Sequence, residues 1–456
     1  MSDSQLRIAL VCMTPKTDTS ESGGMEMPSY GVKRILAASV ADPELGGSEF
    51  ALIDLRKDDV DGYVEAILEF EPDLVGLSIY IWSSILLTEV ARRVKKRRPD
   101  TVIVFGGPSA RTALFDLPPY ESPASYLDAV VESEGELTFA EIARQPRLDR
   151  RALASVGGLE LPTENGWKNT GPRTPIANLD RIASPFQLGL MPDHAVAYLE
   201  TYRGCPMSCT FCEWGRADNP GTVFSTDYIA RELDAYGAAD VPAVFLVDAG
   251  LNLNAQAFRN LAAAERQVGA LRNTAFWCEV YPSLMRDEQV EFLSSVGGGS
   301  YLGIGLQSLD DEVLSRLQRP FKRDRFETVV HQLAPIAFVE IQIIFGLPTD
   351  TPEGFLRTFE YALSFPAAVR AYHCLVLPDA LLTRGRPEWD IQFDPYTLET
   401  TSCAGWSYDD LQNMRGYLTD FASSVGGNAG QFWWHFPPDA GSNLPVSTVA
   451  SGNAAT

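Results

Sequence analysis

Three cysteines within eight residues are the feature of this 456-residue sequence best suited to chemistry. They stand in the run Arg203-Gly204-Cys205-Pro206-Met207-Ser208-Cys209-Thr210-Phe211-Cys212, separated by three residues and then two. Gly204 and Pro206 turn the chain, so three thiolates can converge on one soft metal centre. A structural zinc normally takes four ligands, and no fourth cysteine or close histidine follows, so zinc would need a ligand from afar. An iron–sulfur cluster can instead hold three irons on thiolates and leave the fourth open to a substrate or cofactor. Cys12, Cys278, Cys374 and Cys403 are isolated in the sequence. An odd total with one tight cluster argues against a disulfide framework and for a reducing cytoplasm.

The elements that must carry this loop follow from the hydrophobic rhythm. Apolar runs at 196–202, 243–248, 275–281, 301–306, 339–346 and 372–377 alternate with helical patterns near 226–237, 255–269, 285–295, 309–317, 324–334 and 352–364. Six βα units predict a partial parallel barrel over 196–380, reactive at the carboxyl ends of its strands. Upstream, over 1–145, continuous apolar runs at 6–13, 50–55, 74–80, 102–105 and 129–131 are separated by helical patterns near 29–41, 61–70, 84–97, 108–115 and 136–144. They predict an α/β, doubly wound sheet of Rossmann or flavodoxin type. Residues 146–195, rich in Pro and Gly, read as a linker. Residues 381–456 read as a small C-terminal region, with the aromatic run FWWHFPP and a disordered tail, VSTVASGNAAT.

Composition narrows the partners. Lys plus Arg is 37 against 60 for Asp plus Glu, a net charge of −23, so phosphate backbones and anionic lipids are repelled. The one basic run, RRVKKRR at 92–98, reads as the polar end of a helix. No apolar stretch reaches the ~18 residues of a membrane span, and the N-terminal run carries no targeting pattern.

Cys205-x3-Cys209-x-Phe211-Cys212, with an aromatic before the last cysteine and a βα barrel behind it, resembles the radical S-adenosylmethionine (SAM) superfamily. That resemblance implies a 4Fe-4S cluster on the three cysteines and SAM on the open iron. Reduction would cleave SAM to a 5′-deoxyadenosyl radical, chemistry that the cofactors supply and the protein positions. It also implies SAM contacts from Phe211, from Asp248 and Asn252 in DAGLNLN, from Glu279, and from Gln307 in GIGLQS. The family's usual second-strand run is Gly-Gly-Glu, from which DAGLNLN departs. Ile344 to Pro348 resembles the family's fifth-strand turn near adenine.

A doubly wound domain directly before such a barrel is similar to the cobalamin-binding, or class B, branch. This implies cobalamin contacts from Thr14, Ser78, Tyr80, Trp82, Gly106, Gly107, Glu134, Gly135 and Glu136, all at or beyond strand ends. The four histidines, His194, His331, His373 and His435, leave none in the first 193 residues to ligate cobalt. Trp82 is then the candidate for the lower cobalt face. His194 and His435 are candidate general bases, and no catalytic residue is otherwise assigned.

Three functions stay open. The resemblance favours a cobalamin-dependent methyltransferase acting on an unactivated carbon of a small metabolite or peptide, in natural-product biosynthesis. A cyclisation or rearrangement with the same cofactors, or a sensor without turnover, are the alternatives. An enzyme of this kind needs an electron donor such as flavodoxin or ferredoxin, and no nucleic acid or membrane partner is expected.

Overall fold

The computed structural model describes residues 5–15, 25–216 and 221–443, so the expected disordered tail lies outside the described residues. Five parallel strands open the chain: β1 (Arg7–Val11), β2 (Glu49–Ile53), β3 (Leu74–Ser78), β4 (Val102–Gly106) and β5 (Ala129–Val131). Their order is β2-β1-β3-β4-β5, with β1, β3 and β4 central. Successive residues of these strands bury on opposite faces, which is why the runs read as continuously apolar. Ala9, Val11, Val75, Leu77, Ile103 and Phe105 pack beneath helices Val60–Phe70 and Ser84–Arg97. Ile8, Leu10, Leu74, Val102 and Val104 pack beneath helices Tyr30–Val40 and Gly135–Ala143. The basic run closes helix Ser84–Arg97, where cations suit the carboxyl end of the dipole, and Arg93, Lys95 and Arg98 pair with Asp61, Asp128 and Glu71.

The expected linker is partly sheet. β6 (Leu159–Thr163) and β7 (Gly166–Asn169) form an antiparallel hairpin that extends the first sheet beyond β5. The signal was present: Leu159 and Leu161 flank Glu160 and are buried, and Gly166 closes the turn at φ +118°. Proline and glycine density obscured it.

The second sheet holds six parallel strands: β8 (Ala197–Leu199), β11 (Ala243–Leu246), β12 (Ala275–Glu279), β13 (Ser300–Gln307), β14 (Phe338–Phe345) and β15 (Ala368–His373). Between β8 and β11, the short antiparallel pair β9 (Tyr202–Arg203) and β10 (Thr222–Val223) forms a stem. A hairpin, β16 (Gln392–Phe393) with β17 (Thr400–Ser402), follows β15. The sheet is completed by β19 (Trp433–Phe436), antiparallel to β15, and at its edge by β18 (Asn428–Ala429), antiparallel to β19. Helices cover one face, and some are begun by local chemistry: Ser225 caps Thr226–Ala238, and Thr351 with Pro352 starts Pro352–Leu363.

Two boundaries differ from the sequence expectation. The sixth strand lies at 368–373, where Val369 and Ala371 join the main core; Cys374 and Val376 leave the sheet for a separate cluster with Leu347 and Trp389. Within FWWHFPP, Trp433–Phe436 adds a strand to the second sheet: Trp434 and Phe436 enter the core while Trp433 and His435 alternate to the other face. Residues 374–389 are the part of the chain's last portion that packs beside the cysteine loop, next to Phe211. Among the described residues no helix is long and apolar enough to cross a membrane.

Candidate functional site

The cysteine loop leaves the carboxyl end of β8 and is closed by the β9–β10 stem, with Thr222 opposite Arg203 and Val223 opposite Tyr202. Within it, Thr210 N–H donates to Leu317 O at 2.9 Å and Cys212 N–H to Cys209 O at 3.2 Å. Phe211 packs with Val313, Leu317 and Leu347, anchoring the loop between two exposed turns. Cys209 is buried, and Cys205 and Cys212 are half-buried. Burial pushes the Cys212 thiol up to about 11, and the neighbouring Cys209 and Cys205 charges push the same way. Burial likewise raises Cys205. Burial therefore disfavours free thiolates at Cys205 and Cys212, and a cationic iron centre would overcome that by taking the sulfurs as thiolate ligands. Among the described residues no three His, Cys, Asp or Glu side chains are already drawn around a single ion. A cluster that gives each thiolate its own iron does not require that.

Facing the loop is a lumen made by glycines. A Cβ on Gly303 would lie 2.2 Å from Glu279 Oε1, and one on Gly305 would lie 2.5 Å from Gln307 Nε2 and 2.9 Å from Arg319 Nη2. GIGLQS thus clears space for three polar side chains at the carboxyl end of the sheet. Glu279 accepts one hydrogen bond, from Gln342 Nε2 at 3.1 Å, and burial pushes it up to about 6. Gln307, at φ +69°, has a buried Oε1 with no partner. Arg319 donates to Gly305 O at 2.7 Å and lies 4.6 Å over the Tyr281 ring. Its charge acts on Cys205, Cys212 and Glu279. An under-bonded carboxylate, an orphan amide oxygen and a guanidinium fit a zwitterionic ligand with hydroxyl groups. Sequence reading missed Arg319, which stands before Pro320 in a run with Arg316, Lys322, Arg323 and Arg325, where nothing in the spacing singles it out.

Other expected SAM contacts are taken up internally. Asp248 is buried and accepts from Thr201 N–H at 2.9 Å, the Thr201 hydroxyl and Tyr202 N–H; burial still pushes it up to about 8. Asn252 exchanges two 2.8 Å hydrogen bonds with the Tyr281 backbone. Both tie neighbouring strand ends together.

On the first sheet, Thr14 Oγ1 donates to Asp54 at 2.6 Å. Ser78 is half-buried at the end of β3. Tyr80 and Trp82 stack at 4.4 Å, and Trp82, 47% exposed, donates to Met13 O at 3.2 Å. Gly107, at φ +104°, would place a Cβ 2.8 Å from Ile79 O, so the sheet itself demands glycine there. Gly106 has nothing closer than Val131 Cβ at 4.0 Å and leaves room for a ligand. Gly135 lets helix Gly135–Ala143 approach Ile35. Glu134 and Glu136 reach across to the second domain, where both pair with Arg203.

Neither candidate base sits at this end with the cysteines. His194 bonds Ala239 O just before β8 and is exposed beside Asp240, at the amino end of the sheet. His435 lies beside Glu340 and opposite Arg370 in β15.

Residues 199–362 match the radical SAM superfamily, and residues 21–143 match the B12 binding domain. The chain thus carries a B12-binding domain followed by a radical SAM domain. It is 28% identical over 355 residues to 2-(S-pantetheinyl)-carbapenam-3-carboxylate methyltransferase of Streptantibioticus cattleyicolor, covering 70% of this chain and 50% of that protein. It is also 28% identical over 340 residues to the cobalamin-dependent radical SAM methyltransferase TokK of Streptomyces tokunonensis, covering 68% of this chain and 48% of that one. The chain thus spans about half the length of these relatives. The radical SAM methyltransferase TsrM from Kitasatospora setae, solved with tryptophan and a SAM analog, superposes with TM-score 0.68 over 91% of this chain and 88% of that chain. At 17% identity that likeness is one of fold. A radical SAM domain behind a B12-binding domain implies a 4Fe-4S cluster, SAM and cobalamin as its cofactors.

Proposed function

We propose that this radical SAM protein is a cobalamin-dependent methyltransferase that methylates an unactivated carbon of a small metabolite or peptide in natural-product biosynthesis. The observation that carries the reading is the placement of the three-cysteine loop directly against the loops that follow β4 and β5 of the first sheet. Arg203, in the stem of the cysteine loop, pairs with Glu134 and Glu136 of the β5 loop. Arg111, just beyond Gly106 and Gly107, pairs with Asp379 beside the other end of that loop. When bound, the cofactors supply reductive cleavage of SAM, hydrogen abstraction and methyl delivery.

The chain's own residues bind, orient and shield. Cys205, Cys209 and Cys212 hold the cluster. Arg319 meets the carboxylate of SAM, while Glu279 and Gln307 accept from its ammonium and hydroxyl groups, and Gly303 and Gly305 keep the lumen wide enough to admit it. Gly106 would give cobalamin access to the end of β4, and the exposed Trp82 ring would help hold the bound cofactor and keep water from it. A one-electron donor such as flavodoxin or ferredoxin supplies the reductant, and a cytoplasmic setting suits thiolate-held iron.

The test is anaerobic reconstitution with iron, sulfide and cobalamin, followed by product analysis with SAM and a reductant. Joint formation of 5′-deoxyadenosine and S-adenosylhomocysteine is expected. The first product alone would point to cyclisation or rearrangement, and neither would remove the assignment as an enzyme of this type.

A further inference from the structure

Two ion-pair clamps cross from the B12-binding domain to the cysteine loop, one at each end of it. The inner clamp is built on Arg203, two residues before Cys205. Arg203 donates from Nη1 to Glu134 at 2.8 Å and from Nε to Glu200 at 2.9 Å, and from Nη2 to Glu136. Arg34, on helix Tyr30–Val40, joins from below: it bonds Tyr228 Oη at 2.9 Å and Glu200 at 3.2 Å, and its Nε lies 3.8 Å from Glu136. Glu134 also accepts from the Ile176 N–H at 2.9 Å. Two guanidiniums thus meet three carboxylates drawn from both domains, with Arg34 and Glu136 each under a tenth exposed. Burial alone would raise Glu136, yet Arg203 and Arg34 hold it at about 2.

The outer clamp begins at Arg111, beyond the Gly106-Gly107 turn. Its Nε donates to Asp379, whose own N–H donates to Glu213 Oε1 at 3.3 Å. Arg384 donates to Asp379 O at 2.9 Å and to the Cys212 carbonyl. The last cluster cysteine is therefore tied, through Arg384 and Asp379, to the β4 loop of the first sheet.

Neither clamp belongs to a hydrophobic core: each crosses between a residue of the first domain and one of the second. Each joins a cysteine-loop end to a loop at the carboxyl edge of the cobalamin-type sheet. Fixed charge pairs at two separated points remove rotation as well as translation between the two surfaces.

We propose that Arg203 and Arg111 are positioning residues that lock the cysteine loop against the β5 and β4 loops, setting one separation and angle between cobalt and cluster. This rests on the proposed cofactor assignment. In a two-reaction enzyme such a lock decides whether each radical event is matched by a methyl transfer. Displacement of reacting groups by about 1 Å can cost on the order of 10²-fold in rate, so slack in the clamps should uncouple the two uses of SAM.

The experiment compares wild type, Arg203→Lys, Arg111→Ala and the reversed pair Arg111→Asp/Asp379→Arg. Arg203→Lys keeps the charge but loses the fork that meets three carboxylates. Arg111→Ala, at the more exposed clamp, covers the case in which the buried variant does not fold. Hydrogen exchange on cofactor-free protein reads the lock directly: amides at 205–213 and 376–384 should lose protection in Arg111→Ala and regain it in the reversed pair. In reconstituted protein, the dipolar splitting between paramagnetic cobalt and the reduced cluster should broaden. The ratio of 5′-deoxyadenosine to S-adenosylhomocysteine should rise on the order of tenfold. Variants that load both cofactors with wild-type splitting and wild-type ratio overturn the proposal, even where exchange increases. Unchanged exchange in Arg111→Ala also overturns it. Wild-type protein that binds neither cluster nor cobalamin would instead defeat the proposed function, leaving the exchange comparison to judge the clamp.

Discussion

Gly303→Ala should damage the SAM-facing lumen without replacing any side chain proposed to contact SAM, by displacing Glu279. The added Cβ would stand 2.2 Å from Glu279 Oε1 and 2.6 Å from its Cδ. An ordinary carbon–oxygen contact is near ~3.4 Å, so the carboxylate must retreat by about 1 Å. Doing so stretches its one hydrogen bond, the 3.1 Å contact from Gln342. Overpacking of this size costs about 1–3 kcal/mol of stability, which a chain with a core this large survives. Misplacing a SAM-binding group by about 1 Å should lower 5′-deoxyadenosine formation on the order of 10²-fold. The assay is SAM binding and anaerobic cleavage, read beside the thermal midpoint and the iron content. Gly237→Ala is the control: nothing lies within 4 Å of its Cβ, and alanine in that helix should add up to about 1 kcal/mol. A Gly303→Ala protein with full iron content and wild-type SAM cleavage would refute the role given to Glu279 and its glycine cradle.

Cys209→Ala should abolish cluster absorption and SAM cleavage, whereas Cys278→Ala, buried in the helix-facing core, should keep both and lose about 1 kcal/mol in urea unfolding. Trp82→Ala, removing a half-exposed ring, should barely move the thermal midpoint but change the cob(II)alamin paramagnetic resonance spectrum, as water reaches the cobalt; an unchanged spectrum speaks against the lower-face assignment. Trp434→Ala should cost about 3–5 kcal/mol in denaturant titration, because its indole is fully buried in the strand added beside β15. Burial and then Arg415 hold His373 neutral, lowered from 6.5 to about 4. Because the unfolded chain takes up that proton first, stability falls as pH drops from 6.5 through 4, by about 3 kcal/mol relative to His373→Gln.

Most of the fold was legible because each sheet is parallel and buried, so its strands stand out as apolar runs between amphipathic helices. The first sheet's five strands fall within a residue or two of their expected places, and its central order follows from the doubly wound rule. What escaped were antiparallel additions at sheet edges. β6 and β7 are short and crowded by prolines, while β19 is aromatic on both faces, so its alternation separates core from lumen rather than apolar from polar. At the site, spacing alone marked the three cysteines as one loop, and the structure places that loop at the carboxyl end of β8. Glu134 and Glu136 were noticed for the right loop, but sequence cannot show that Arg203, 67 residues beyond Glu136, turns them toward the second domain. Gly107 shows the same limit: a glycine expected to admit a cofactor is required by the backbone of Ile79.

The central claim is that this protein transfers a methyl group to carbon, and the fate of that methyl group tests it most directly. Anaerobically reconstituted protein should be given SAM labelled in its methyl group, a reductant, and the metabolites made by the enzymes of neighbouring genes, with products followed by mass spectrometry. The account predicts one metabolite that gains the intact labelled methyl on a carbon atom, with 5′-deoxyadenosine and S-adenosylhomocysteine formed alongside it. SAM consumed to 5′-deoxyadenosine while every metabolite stays unlabelled, or label found only on oxygen, nitrogen or sulfur, would contradict it.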